Sequence, residues 1–245
     1  MEVNWFCLRF KVPSDLYHQK MSGINFRYAF LHGFASGPTT RKGVHLKSFF
    51  KEQHGIELFV PDLNIPSFEQ LETTSILNFL SEQLPEDSTT KWRLIASSLG
   101  GYIATRFAEM YPNRVDSLLL LAPAFDLCER WRNRMDVSEW KSKGFVEFYN
   151  FKLKAYKQVH YGFFHDLEVN HPPYPMPQKG INICIIHGLK DQSVLPESSH
   201  QFIKRMQETV QENVQLKLVD DGHELIEPIT LQLMEETIND LWLSK

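Results

Sequence analysis

Short apolar runs that alternate with amphipathic segments are the strongest constraint on how this chain folds. Two of the runs, LLLLA at 118–122 and INICIIH at 181–187, are apolar almost throughout. A strand with such a composition is buried on both faces, as happens in parallel sheets that are covered by helices. The alternation therefore predicts an α/β fold, with an open, mostly parallel sheet, helices on both faces and right-handed crossovers.

Six segments have the pattern of strands and five have the pattern of helices. Ser67, with Gln70 three residues later, suggests a capping box for the second helix, and Pro112 should end the third. The strands are expected at 26–32, 56–61, 92–97, 117–122, 181–187 and 214–219, and the helices at 40–53, 67–84, 99–111, 196–211 and 228–243. Residues 5–12 form either a further edge strand or a loose arm.

Residues 124–178 interrupt this alternation. Twelve of these 55 residues are aromatic, and the segment ends in the proline-rich run PPYPMP, which is a stiff, extended linker. We expect a helical cap inserted over the carboxyl edge of the sheet, within a single domain spanning 1–245. Two ordinary packing helices are the alternative.

Composition limits the partners of the chain. The formal net charge is −4, so no strong positive field exists to hold nucleic acid. No apolar stretch approaches the length that spans a bilayer, and the N-terminus lacks the pattern of a signal peptide, so stable membrane insertion is not expected. Cys7, Cys128 and Cys184 are far apart and odd in number, which predicts reduced cysteines in a cytoplasmic protein. The oligomeric state is not predicted.

The stretch WRLIASSLGG at 92–101 contains a candidate nucleophile. An apolar run leads into a small-x-Ser-x-Gly pattern, with Ala96 and Gly100 on either side of Ser98, and a helical pattern follows. A sharp strand-to-helix turn needs small residues at these positions, and it presents the serine hydroxyl at a helix N-terminus, where the dipole favours an oxyanion. A turn that only caps a helix is the alternative. Ser97 is a rival nucleophile, but the same pattern centred on Ser97 would need small residues at positions 95 and 99, which are Ile95 and Leu99.

A glycine-containing loop, FLHGFASGP at 30–38, follows the first predicted strand. Gly33 allows a tight turn that aims a backbone N–H inward. Folds with this kind of elbow form an oxyanion hole from the N–H after the nucleophile and one N–H of this first loop, which here predicts Leu99 and Phe34. A glycine-rich turn without a ligand is the alternative, and His32 is expected to orient the loop rather than to transfer protons.

Two more loops follow the last two predicted strands. IHGLKDQSV places Asp191 after one strand, and VDDGHEL places His223 on a short turning loop after the other. For Asp191 taken alone the alternative is an Asx turn, and for His223 taken alone it is a structural histidine. The order Ser98, Asp191, His223 is nevertheless the chain order of α/β-hydrolase triads. Asp220 and Asp221 are rival acids close to the histidine, but neither follows the penultimate strand.

Residues 26–243 resemble the α/β-hydrolase superfamily. LHGFASGP, ASSLGGYIATRFAEMYP and IIHGLKDQSV resemble small bacterial serine esterases and thioesterases with a Ser-Ser-Leu-Gly-Gly elbow. The resemblance implies Ser98 as nucleophile, Asp191 as acid and His223 as base. Two features depart from it. Ala96 stands where glycine is commoner, and the first two strands of the fold are not evident, which leaves the first edge of the sheet open.

These loops predict an enzyme, a serine hydrolase that cleaves small-molecule carboxylic esters or thioesters through an acyl-enzyme. The same triad also serves peptidases, C–C hydrolases and acyltransferases, and a non-catalytic binding protein is a further alternative. No nucleotide-binding glycine motif, HExxH motif or Cys/His cluster occurs in the sequence. Neither a cofactor nor a metal is therefore expected.

Part of the inserted segment, residues 129–157, is rich in both basic and aromatic side chains. The aromatic residues are expected to line an acyl pocket. The basic residues either meet an anionic substrate, such as an acyl-CoA or a phospholipid headgroup, or form an ordinary solvated face. The aromatic residues are Trp131, Trp140, Phe145, Phe148 and Phe151, and the basic ones are Arg130, Arg132, Arg134, Lys141, Lys143, Lys152, Lys154 and Lys157.

Overall fold

A computed structural model describes residues 24–87, 89–210 and 214–243. Its main sheet has five strands, all parallel, in the order β1-β2-β3-β6-β7, and a separate antiparallel hairpin pairs β4 with β5. The strands are β1 (Asn25–Leu31), β2 (Thr90–Ser97), β3 (Val115–Leu121), β4 (Phe145–Asn150), β5 (Ala155–His160), β6 (Asn182–Gly188) and β7 (Gln215–Val219). The predicted α/β class with a parallel sheet is confirmed.

Helices cover both faces of this sheet. Leu77, Ile103 and Phe202 belong to the apolar core on one face, whereas Leu46 and Met234 belong to a second core on the other. Single π-helical turns follow α7 and α8. The helices are α1 (Arg41–His54), α2 (Thr73–Gln83), α3 (Leu99–Met110), α4 (Leu127–Arg134), α5 (Val137–Lys143), α6 (Gly162–Asn170), α7 (Pro196–Arg205) and α8 (Pro228–Ile238).

Two predicted elements differ from the structure. Residues 56–61 form one bridge, in which Phe59 pairs with Ala29 of β1, rather than a strand. Pro61 lacks the N–H that would continue the ladder. The second helix starts at Thr73 instead of residue 67: the Ser67 hydroxyl does accept a hydrogen bond from Gln70 N at 3.1 Å, but this bond closes a local turn, as serine side chains often do outside helices.

Residues 124–178 lie between β3 and β6 and contain more than the expected helices. They form α4, α5 and α6 together with the β4–β5 hairpin, which helical periodicity did not predict. Backbone bonds hold the hairpin against the rest of the chain, from Phe151 N to Ala35 O at 2.8 Å and from His160 N to Glu69 O at 2.8 Å. The first of these bonds fixes the hairpin to the loop that follows β1.

The proposed edge strand or arm at 5–12, and Cys7 with it, lie outside the described residues. Within the part of the chain that the structure describes, no helix is both long enough and apolar enough to cross a membrane.

Candidate active site

Loops that carry the predicted site residues converge at one edge of the sheet. Because β1, β2, β6 and β7 are parallel, the loops after them leave from the same edge. These loops contain Gly33, Ser98, Asp191 and His223 respectively. Residues far apart in sequence therefore come within contact distance.

Ser98 sits on a strained turn between β2 and α3. Its backbone has φ +55° and ψ −118°, a left-handed φ that costs free energy for any residue with a side chain. The turn needs close approach: a Cβ on Gly100 would lie 2.3 Å from the Leu31 carbonyl oxygen and 2.6 Å from that of His32. A residue without a side chain is therefore needed at position 100, so that the start of α3 can pack against the end of β1.

Gly100→Ala is expected to lower the free energy of unfolding by about 3 kcal/mol, because the added methyl group meets buried backbone rather than a movable side chain. Urea unfolding measures this change. Gly222→Ala is the matched control, since a Cβ there has no atom within 4 Å. Equal losses in the two variants would contradict the close approach at Gly100.

Ser98, His223 and Asp191 form a continuous chain of hydrogen bonds. His223 Nε2 lies 3.0 Å from Ser98 Oγ, and His223 Nδ1 lies 2.7 Å from Asp191 Oδ2. A carboxylate can only accept, so Nδ1 carries the proton and Nε2 is left to accept the hydrogen bond from the serine hydroxyl. The Asp191 side chain is fully buried, whereas His223 is 21% exposed and reaches the site opening.

The surroundings of Asp191 keep it ionised. Its Oδ1 accepts hydrogen bonds from Ser193 N and Val194 N, both at 2.8 Å. Burial acts to raise the pKa of Asp191, but hydrogen bonds from His187, His223 and Val194 outweigh it and hold that pKa well below its ordinary value. The carboxylate is therefore available at neutral pH to orient His223.

Sequence reasoning missed His187, whose imidazole lies beside the Asp191 carboxylate and helps to keep it ionised. His187 is fully buried at the end of β6, with Nε2 2.8 Å from Val194 O and 3.3 Å from Asp191 Oδ2. Its Nδ1 lies 2.7 Å from Ser199 Oγ. The only sequence signal is its position directly before Gly188 at the end of an apolar run.

The two rival acids have other partners. Asp220 is exposed and pairs with Lys190 at 2.8 Å. Asp221 accepts hydrogen bonds from Gly222 N at 2.6 Å and Glu227 N at 3.0 Å. Asp221 thus shapes the loop that carries His223, whereas the imidazole of His223 donates its hydrogen bond to Asp191.

The loop after β1 lies beside Ser98. A Cβ on Gly33 would lie 3.1 Å from Ser98 Cβ, and His32 orients the loop: its Nε2 accepts from Leu63 N at 2.9 Å and its Nδ1 donates to Gly33 O at 2.9 Å. Among the hydrogen bonds that described loop and turn residues make between backbone groups, none comes from the N–H of Phe34 or Leu99. These are the two groups that the sequence predicts for an oxyanion hole.

The Phe34 side chain joins the loop after β1 to the inserted segment. Its ring stacks on Phe163 and makes edge-to-face contacts with Trp131 and Phe148, with centroids 4.9 to 5.7 Å apart. Aromatic contacts of this kind add to the free energy of burial. The position of the Phe34 N–H is therefore tied to the packing of residues 124–178.

Lys42 is a second residue that sequence reasoning missed. Its ammonium group is buried and donates a hydrogen bond to the backbone oxygen of Glu224, next to His223, at 2.6 Å. Burial lowers the pKa of Lys42 to about 8, although the nearby Glu224, Asp221 and Asp191 act to raise it. Nothing in the sequence distinguishes this lysine from the exposed ones of the same helix.

Ser98 and His223 open into a cavity of about 730 Å³. Trp131, Phe148 and Phe151 form part of its wall, as expected for an acyl pocket. Trp140 and Phe145 do not, contrary to the sequence expectation. Trp140 is only 1% exposed and its Nε1 donates to Val159 O at 2.9 Å, so it belongs to the core, whereas Phe145 is 40% exposed on the hairpin.

Within residues 24–87, 89–210 and 214–243, no group of three His, Cys, Asp or Glu side chains is arranged to hold a metal ion. The two cysteines in these ranges, Cys128 and Cys184, are free thiols. Burial raises the pKa of the Cys128 thiol to about 11 and that of Cys184 to about 12.

The parallel sheet, the elbow after β2 and the loops after β6 and β7 define the α/β-hydrolase fold. Comparison with solved structures shows the same fold. The alpha/beta hydrolase domain-containing protein 10 from mouse superposes with a TM-score of 0.69 at 23% identity, covering 87% of this chain and 88% of that one. Est1E from Butyrivibrio proteoclasticus, with ferulic acid bound, superposes with a TM-score of 0.70 at 17% identity, covering 92% and 91%.

The chain belongs to the uncharacterised protein family UPF0227, whose family model matches residues 27–232. A curated relative, the mitochondrial palmitoyl-protein thioesterase ABHD10 of Pongo abelii, is 28% identical over 155 residues, in a match that covers 60% of this chain. The chain spans about half the length of that relative, 49%.

Proposed function

We propose that the protein is a serine hydrolase that cleaves carboxylic esters or thioesters through an acyl-enzyme on Ser98. The observation that carries this proposal is the hydrogen-bond chain from Asp191 through His223 to the Ser98 hydroxyl, which ends in an aromatic-walled cavity. The esterase fold of Est1E and the thioesterase among the relatives support the same class of reaction.

In the first half of the proposed reaction, Ser98 Oγ attacks the substrate carbonyl carbon while its proton passes to His223 Nε2. Asp191 keeps the imidazole in the required tautomer and stabilises its positive charge. The N–H group of Phe34, in the loop after β1, and that of Leu99, at the start of α3, donate to the developing oxyanion as preorganised donors. The bond to the leaving group then breaks, and the leaving oxygen or sulfur takes the proton from His223.

In the second half, water attacks the acyl-enzyme and His223 takes a proton from it. The ester bond to Ser98 breaks, the serine hydroxyl regains its proton and the carboxylic acid leaves. We assign residues 124–178 the role of a cap, because Trp131 and Phe148 from this segment contact both Phe34 and the cavity. The proposal includes a cytoplasmic location, supported by the free thiols of Cys128 and Cys184.

Labelling with a fluorophosphonate probe tests the proposal. The probe should attach covalently to Ser98, and short p-nitrophenyl esters should compete with the labelling and be hydrolysed. Peptide mapping identifies the labelled residue. A folded protein that neither reacts with the probe nor hydrolyses any ester would be a binding protein, and the proposal would be wrong.

Trp131→Ala is expected to flatten the dependence of kcat/KM on acyl length. An apolar wall adds about 0.8 kcal/mol for each buried methylene, so kcat/KM of the wild type should rise about fourfold per methylene from acetyl to butyryl esters. Removing the indole removes much of that wall. Kinetics with p-nitrophenyl acetate, propionate and butyrate measure the slope.

Phe145→Ala is the matched control for the acyl-length experiment, because Phe145 is an exposed aromatic residue of the same inserted segment. Its slope should equal that of the wild type. A wild-type enzyme that prefers acetate, or a Trp131→Ala variant with an unchanged slope, would show that the aromatic wall does not hold the acyl chain.

A further inference from the structure

The Ser98 cavity is lined by basic side chains although the chain as a whole is acidic. The formal net charge is −4. Among the described residues, the cavity lining nevertheless includes six basic side chains and one carboxylate, Glu224. The basic residues are Arg41, Lys42, Arg130, Arg134, Lys152 and Lys154.

Three of these cations are exposed and have no ion-pair partner among the described carboxylates. Lys152 pairs with Asp62 at 2.6 Å, and Arg130 pairs with Asp126. For Arg41, Arg134 and Lys154, no described carboxylate lies within 4.0 Å, and all three side chains are exposed. Arg134 donates instead to the carbonyl oxygens of residues 192 and 193, which leaves its charge uncompensated.

The placement of Arg41 and Lys42 conflicts with the local electrostatics. Both lie in the first turn of α1, which contains no acidic residue. The positive end of the helix dipole is found there, so cations are unfavourable at this position and anions are favourable. Departures of this kind from local preference are typical of binding sites, where a ligand supplies the missing charge.

The unpaired cations come from three separate parts of the chain. Arg41 begins α1, Arg134 ends α4, and Lys154 lies in the turn of the β4–β5 hairpin. A solvated face of one amphipathic helix would not bring them together. All three line the cavity that contains Ser98.

We propose that this cavity accepts acyl esters or thioesters whose leaving group carries phosphate, held by Arg41, Arg134 and Lys154. The inference rests on the proposed function and names the substrate class of that same site. The phosphate takes no part in bond breaking: the acyl group passes to Ser98 and then to water, and the phosphate-bearing alcohol or thiol leaves with a proton from His223. Arg and Lys side chains suit this role because their hydrogen bonds to phosphate are charge-assisted.

Pairs of substrates with one acyl chain and different leaving groups test the proposal. The thioester pair is octanoyl-CoA and uncharged S-octanoyl-N-acetylcysteamine, and the lipid pair is 1-octanoylglycerol 3-phosphate and 1-octanoylglycerol. In at least one pair, kcat/KM should be at least about tenfold higher for the phosphate-bearing member. The pair that shows the preference identifies the source of the phosphate as a coenzyme thioester or a lysophospholipid.

Arg41→Gln, Arg134→Gln and Lys154→Gln should each lower that ratio by about fivefold, since contacts at an exposed opening are weaker than buried ones. The ratio cancels any loss common to both members of a pair, such as a displacement of the 192–193 carbonyls that Arg134 contacts. Lys141→Gln is the matched control, because Lys141 is an exposed lysine of the inserted segment outside the cavity lining.

The outcomes separate this inference from the proposed function. If both members of each pair are hydrolysed at equal kcat/KM and the fluorophosphonate labels Ser98, the phosphate preference is wrong. The proposed hydrolase function would then still stand. The phosphate preference would also be overturned if Lys141→Gln lowered the ratio as much as the other variants do. The overall charge of the protein, and not a phosphate site in the cavity, would then be responsible. A protein without turnover or labelling would overturn both proposals.

Discussion

Replacing Ser98 with alanine is expected to lower kcat for p-nitrophenyl butyrate by about 10⁴- to 10⁶-fold, because nucleophile, base and acid act as a unit. The remaining activity would come from substrate binding and the oxyanion donors alone. The fold should persist, since the change removes one hydroxyl whose hydrogen-bond partner, His223, remains partly exposed to water. Steady-state kinetics measure the loss, and thermal unfolding checks the fold.

Ser97→Ala is the control for this experiment. Ser97 is the last residue of β2 and is 5% exposed, while the neighbouring Ser98 hydroxyl contacts His223. The variant should retain activity within about tenfold of the wild type. An inactive Ser97→Ala variant beside an active Ser98→Ala variant would move the nucleophile by one residue.

Replacing Asp191 with asparagine is expected to lower kcat by about 10⁴-fold with the fold intact. The amide nitrogen that replaces Oδ2 would donate to His223 Nδ1, and the imidazole proton would then sit on Nε2. In that tautomer Nε2 cannot accept the Ser98 proton. The amide oxygen can still accept from Ser193 N and Val194 N, which is why the loop should keep its conformation.

Asp220→Asn is the matched control, because Asp220 is an exposed carboxylate of the His223 loop that pairs with Lys190. Its kcat should match that of the wild type. If Asp191→Asn keeps most of its activity while its thermal unfolding is unchanged, the orienting acid lies elsewhere and the assignment from strand order fails.

The sequence by itself determined the α/β class and, to within two residues, the positions of the central strands. The runs at 118–122 and 181–187 are apolar at nearly every position, and only a strand covered on both faces tolerates this. It also predicted that Ser98, Asp191 and His223 lie together, since each follows a predicted strand and parallel strands end at one edge. These signals are local in sequence, so no tertiary information was needed to find them.

Only the tertiary structure decided which side chains of the inserted segment face the cavity. Trp131 and Trp140 are equivalent in sequence, yet one forms the cavity wall and the other is enclosed in the core with a hydrogen bond to Val159 O. The same holds for Arg134 and Lys141, of which only the first lines the cavity. The reason is that α4, α5 and the hairpin pack against several elements at once, so periodicity along one helix does not fix their orientation.

The supporting residues of the site also depended on tertiary structure. Lys42 contacts the backbone oxygen of Glu224, which lies far from it in sequence. His187 contacts the backbone oxygen of Val194, in the loop that directly follows its own strand. Residue type alone does not distinguish a buried lysine from a solvated one, because burial depends on how α1 packs beside the loop after β7. The sequence thus predicted which loops bring Ser98, Asp191 and His223 together, and the packing of separate elements decided their surroundings.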